Sequence, residues 1–138
     1  RKSTDDVVEI LLEWHEALPD EHPQKTRPGA LHSWSDSYEK ALPLLEAGFY
    51  FGVSGPVTYH NAPDRRECTA ALPLDRILIE TDCPYLTPHP LRGKRNEPAY
   101  VLKMVEEVAK LHGKSVKETA EITTRNAFRL YGLQLQTS

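Results

Sequence analysis

The chain has 138 residues, 39% of them apolar and 27% charged, with a formal net charge of −3, which suits one globular domain with a buried core. Its overall field has the wrong sign to attract nucleic acid, so any such affinity must come from a local cluster. The two cysteines, Cys68 and Cys83, make no disulfide framework in a chain of this size and point to a reducing, cytoplasmic setting, and no apolar run approaches the ~18 residues of a membrane span.

The sequence opens on RKSTDD, with no initiator Met and no signal peptide, so a chain cut from a longer protein is expected. Val7, Ile10, Leu11, Trp14 and Leu18 recur at helical spacing behind Ser3 and Thr4, which predicts an amphipathic helix over residues 4–18. A polar, proline-bearing loop, DEHPQKTRPG, ends it. Gly29 then introduces a short strand run, Ala30-Leu31-His32, and Ser35 is placed to cap a second helix with Tyr38, Ala41, Leu42 and Leu45 on one face, closed by Gly48. Phe49 to Val53 reads as a strand, Ser54-Gly55 as a loop, residues 62–71 as a short helix, and Arg76 to Glu80 as another strand. Two helices follow, roughly 97–112 and 116–131. The second opens on the capping box Ser115-Val116-Lys117-Glu118 and stops at Gly132.

Strands separated by helices imply a parallel sheet, because a parallel crossover needs a dozen or more residues. The class is α/β. About three parallel strands fit either a small open three-layer sheet or about half of a TIM-type (β/α)₈ barrel, which typically takes ~250 residues when complete.

The residues able to do chemistry fall at the carboxyl ends of these strands, where ligands bind in both architectures. His32 and Asp82 each follow an apolar run. An imidazole and a carboxylate suit Zn²⁺, Mn²⁺ or Mg²⁺, and a carboxylate can also orient or deprotonate a water. The ordinary alternatives are a strand-end imidazole bonded to backbone and a turn-forming acid ahead of Pro84. Downstream, Arg92, Lys94 and Arg95 place three cations within four residues around Gly93. Such a loop is either a solvated charge run or a phosphate clamp. Thr58, Tyr59, His60 and Asn61 follow the middle strand, with Thr58 and His60 the candidates for the site mouth. Cys83 reads as a small, buried, inert thiol, and His15, His22 and His112 as solvated residues of helix faces and loops. The chain contains no P-loop, GxGxxG or GxSxG.

The segments Glu80-Thr81-Asp82-Cys83-Pro84-Tyr85-Leu86 and Arg92-Gly93-Lys94-Arg95-Asn96-Glu97-Pro98 closely resemble the last strand and following loop of the TatD family of metal-dependent deoxyribonucleases. Gly29 to Ser35 resembles that family's HCFSG strand end, Gly48 to Asn61 its GFYISFSGIVTF segment, and Thr123 to Ala127 its closing helix. Arg1 is similar in position to the arginine of the family's HxR motif. Trp34 and Asp36 depart from it, standing where Phe and Gly are usual.

The resemblance implies a partial metal-dependent hydrolase domain over residues 1–138, with the amino-terminal half of the barrel preceding Arg1. The complete site would hold two divalent ions, Mg²⁺, Mn²⁺ or Zn²⁺. His32 and Asp82 would supply its last two ligands, with Asp82 also catalytic and Arg92, Lys94 and Arg95 holding the phosphates of DNA. On its own the chain would be an inactive fragment that pairs with the missing half or with another copy. Other readings are an amidohydrolase-type enzyme acting on a different ester or amide, such as an aminoacyl-tRNA deacylase, and a non-catalytic binding fragment.

Overall fold

The computed structural model describes residues 3–134, which leaves Arg1 outside the described residues. Three parallel strands form one sheet in the order β1-β2-β3: β1 (Ala30–Leu31), β2 (Tyr50–Val53) and β3 (Ile77–Ile79). Ala30 aligns with Tyr50 and Phe51 with Ile77, so the strands end almost level and their carboxyl ends open on one side. Tyr50 to Val53 are all buried, as expected of a central strand covered on both faces.

Among the described residues, six α-helices pack about the sheet: α1 (Thr4–Ala17), α2 (Pro23–Thr26), α3 (Tyr38–Glu46), α4 (Pro63–Ala71), α5 (Val101–Leu111) and α6 (Val116–Tyr131). The core lies between strands and helices, with Phe51, Leu44, Leu72, Ile77, Met104 and Val108 fully buried. At roughly 1.5–3 kcal/mol per fully buried large apolar side chain, this cluster is the main source of cohesion. α6 attaches differently. Asn126, almost wholly buried, donates both amide hydrogens, to Leu74 O at 2.9 Å in the turn before β3 and to Ile77 O at 2.8 Å in its first residue, and so fixes where β3 begins.

The expected capping box is present in α6. Ser115 Oγ accepts from the Glu118 N–H at 3.1 Å, and Gly132 ends the helix in the left-handed conformation at φ 65°. Elsewhere the expectations need correction. α3 begins at Tyr38 with Ser37 as its N-cap, because Asp36 Oδ1 takes the Ser37 N–H at 2.9 Å and holds residues 35–37 off the helix. Leu44, not Leu42, is the buried leucine of α3, and Leu42 is 39% exposed. α1 turns Val8, Leu11, Leu12 and Trp14 to the core and leaves Ile10 62% exposed, since it packs along one narrow side against α3. Within the proline-bearing loop, Pro23 starts the single turn of α2, where His22 Nδ1 accepts from Gln24 N. His15 and His112 are bonded rather than merely solvated, Nε2 of each lying 2.9 Å from Lys25 O and 3.0 Å from Thr69 O respectively. Among the described residues no helix is long and apolar enough to cross a membrane.

Candidate metal centre

Level strand ends bring together side chains that lie far apart in sequence. His32 leaves the end of β1, and Glu80 and Asp82 leave the end of β3. His32 Nδ1 is 3.0 Å from Glu80 Oε2, and His32 Nε2 is 3.4 Å from Asp82 Oδ1. The imidazole therefore stands between two carboxylates. The chain turns sharply after β1 at Ser33 (φ 47°) and after β3 at Asp82 (φ 57°), both in the left-handed conformation that side chains usually avoid. Such strain persists where the surroundings over-determine it. Here the Ser33 N–H donates to Glu80 Oε1, and the Ser33 and Ser54 hydroxyls lie 2.7 Å apart, tying the ends of all three strands together.

Electrostatics follow from the geometry. Partial burial is the largest single influence on His32 and disfavours its charge, but the fields and hydrogen bonds of Glu80 and then Asp82 together outweigh it and hold the imidazole above its usual 6.5. Cys68, buried beneath the sheet, is pushed up to about 11 chiefly by desolvation and stays a thiol at neutral pH. Cys83 corrects the sequence-based expectation: it is exposed, because the turn that carries Asp82 projects out of the strand end.

The spacing of His32 and Asp82 allows a direct test of fit to a metal. Two ligand atoms each ~2.1 Å from one tetrahedral ion stand about 3.4 Å apart, which matches the observed 3.4 Å between Nε2 and Oδ1. A neutral ring with its proton on Nδ1, toward the nearer carboxylate, would keep the Nε2 lone pair for a cation. These two residues fit a divalent ion. Among the described residues no three His, Cys, Asp or Glu side chains form a group able to hold one.

The remaining sequence-based candidates are distributed as follows. Arg92, Lys94 and Arg95 are exposed on the loop after Asp82. That loop is fastened to the Asp82 turn by buried Asn96, whose amide donates to Thr81 O and Tyr85 O at 2.6 Å each, and by Thr87 Oγ1 bonded to Lys94 O at 2.6 Å. Arg92 lies over the Tyr59 ring, 4.1 Å from its centroid. Thr58 is buried and doubly engaged, its hydroxyl donating to Gly55 O at 2.7 Å and accepting from His89 N at 2.8 Å. It pins two loops together. His60 is exposed and meets His89 edge to face, with ring centroids 4.5 Å apart. Sequence reasoning counted Glu80 as the last residue of a strand and missed its contact with His32. The one available signal was its position, two residues before Asp82, which puts both acids on the same face of an extended chain.

A family model described as TatD related DNase matches residues 1–132. The chain belongs to the TatD family. Similar proteins include the uncharacterized metal-dependent hydrolase YabD of Bacillus subtilis, 44% identical over 131 residues, which cover 95% of this chain and 48% of that protein. A second, from Citrobacter rodentium, is named 3'-5' ssDNA/RNA exonuclease TatD and is 35% identical over 117 residues, 80% of this chain and 44% of its own length. The crystal structure of the Escherichia coli TatD homolog YjjV superposes with a TM-score of 0.83 at 25% identity, covering 97% of this chain and 48% of that one. The three parallel strands and their helices thus match part of a TatD-type TIM barrel. The chain spans about half the length of the curated relatives it matches.

Proposed function

We propose that this TatD-family hydrolase cleaves phosphodiester bonds of DNA from a strand end, with His32 and Asp82 as two ligands of a divalent metal site. The observation that carries the reading is the convergence of His32 Nε2 and Asp82 Oδ1 at 3.4 Å beside a cationic loop tied to the same turn. A relative named as a 3'-5' ssDNA/RNA exonuclease supports the choice of bond and of strand end.

The chain's own residues divide the work. His32 presents a nitrogen donor, held in place from its far side by Glu80. Asp82 supplies a carboxylate oxygen and, with its second oxygen, orients an attacking water or accepts its proton. Arg92, Lys94 and Arg95 hold the flanking phosphates without reading bases, which gives affinity with little sequence preference. A divalent ion bound there, Mg²⁺ or Mn²⁺ for turnover with Zn²⁺ as a further candidate, supplies Lewis-acid polarisation of a phosphoryl oxygen and acidification of water.

The test is release of nucleotides from end-labelled single-stranded DNA by the protein at its native length. Release should require added Mg²⁺ or Mn²⁺, stop with EDTA, and fall at least 100-fold in Asp82→Ala. Undiminished release by Asp82→Ala would refute the reading.

A further inference from the structure

The carboxylate of Glu80 is held at both of its oxygens. One oxygen accepts the Ser33 N–H, the other lies 3.0 Å from His32 Nδ1, and the side chain crosses the central strand directly over Gly52. A Cβ built on Gly52 would overlap all three atoms of that carboxyl group, so only glycine leaves the seat open. Gly52 is itself fixed in the ladder, aligned with Leu78 and accepting from Trp34 N at 3.1 Å. The strand cannot move aside to relieve the overlap.

We propose that Glu80, seated over Gly52, is a positioning residue that holds His32 in the tautomer protonated on Nδ1 and so aims the Nε2 lone pair at a divalent cation beside Asp82. The inference rests on reading His32 as a metal ligand and is independent of which substrate is cleaved. A carboxylate can only accept, so the imidazole nitrogen in closer contact with one carries the proton of the neutral ring. The contact at 3.0 Å claims the single proton of the neutral ring over the looser one at 3.4 Å. Partners of this kind, which orient a ligating imidazole from its far side, are worth 10- to 100-fold in metal affinity.

The experiment uses the protein at its native length, labelled with ¹⁵N-histidine, comparing wild type with Glu80→Ala and Gly52→Ala. Glu80→Ala removes the carboxylate. Gly52→Ala keeps its charge in the chain but pushes it off its seat, so the two variants share only the loss of the contact. Imidazole ¹⁵N shifts should report Nδ1-protonated His32 in wild type and a mixture of tautomers in both variants. Titration with Zn²⁺ alone should show affinity at His32 lowered 10- to 100-fold in both. His32 remaining Nδ1-protonated in a folded Glu80→Ala chain would overturn the proposal. Should that variant fail to fold, an unchanged tautomer in Gly52→Ala would overturn it equally. Absence of any His32 response to Zn²⁺ in wild type would remove the metal-ligand reading beneath it, whereas failure to cut DNA would touch neither the tautomer nor the titration.

Discussion

At the scale of single residues, two buried asparagines separate stability from function. Asn96 and Asn126 are each about 98% or more buried, and each donates twice to backbone carbonyls. Losing a buried partner costs ~1–3 kcal/mol, so Asn96→Ala and Asn126→Ala should each lower the unfolding free energy by on the order of 2 kcal/mol, read from urea denaturation. Their effects on DNA should differ. Asn96 fastens the cationic loop to the Asp82 turn, so its alanine variant should also bind single-stranded DNA several-fold more weakly, whereas Asn126 anchors the start of β3 and should leave binding unchanged. Equal losses of binding in the two folded variants would show that the loop needs no fastening. His32 and Asp82 were legible as candidates because each follows an apolar run, a pattern carried by neighbouring letters. Glu80 was not, because its partners His32 and Ser33 lie 48 and 47 positions away and only the level strand ends bring them together.

Among the elements, α6 carries the clearest local signal and gives a correspondingly local prediction. Ser115 takes one of the free N–H groups of the first turn, that of Glu118, so Ser115→Ala should cost about 1 kcal/mol. The urea midpoint should fall with the slope unchanged, since the variant exposes no new surface on unfolding. A changed slope would mean that the helix end frays in the native state. The longer helices were readable because 3.6-residue periodicity is a property of contiguous sequence, whereas the single turn of α2 is too short to show one. Helix starts and exact faces were less readable: Ser35 reads as the cap of α3, whereas Asp36 bonds the Ser37 N–H and the helix begins at Tyr38. The buried face of α1 was misjudged for a similar reason. Val7 and Ile10 share the helical stripe with Leu11 and Trp14, and only the line of contact with α3 shows which side is covered.

For the molecule as a whole, charge distribution matters more than charge. A net charge of −3 repels a polyanion at long range, so attraction falls to Arg92, Lys94 and Arg95 acting within a Debye length of ~8–10 Å. Each phosphate neutralised by a cation contributes about −0.7 to the slope of log K against log salt for single-stranded nucleic acid. Three cations therefore account for roughly −2, whatever the rest of the protein adds, because contacts elsewhere contribute a separate increment. Neutralising all three as Arg92→Ala, Lys94→Ala and Arg95→Ala should make the slope shallower by about 2. Arg92 differs in one respect. Its guanidinium lies over the Tyr59 ring, so Arg92→Lys preserves the charge and the salt slope while losing the planar stack that orients it. Fluorescence anisotropy with an end-labelled single strand, at salt between 50 and 300 mM and with EDTA present, reads binding apart from cleavage. A slope unmoved by the triple substitution would relocate the phosphate contacts away from this loop and leave its cations as a solvated surface.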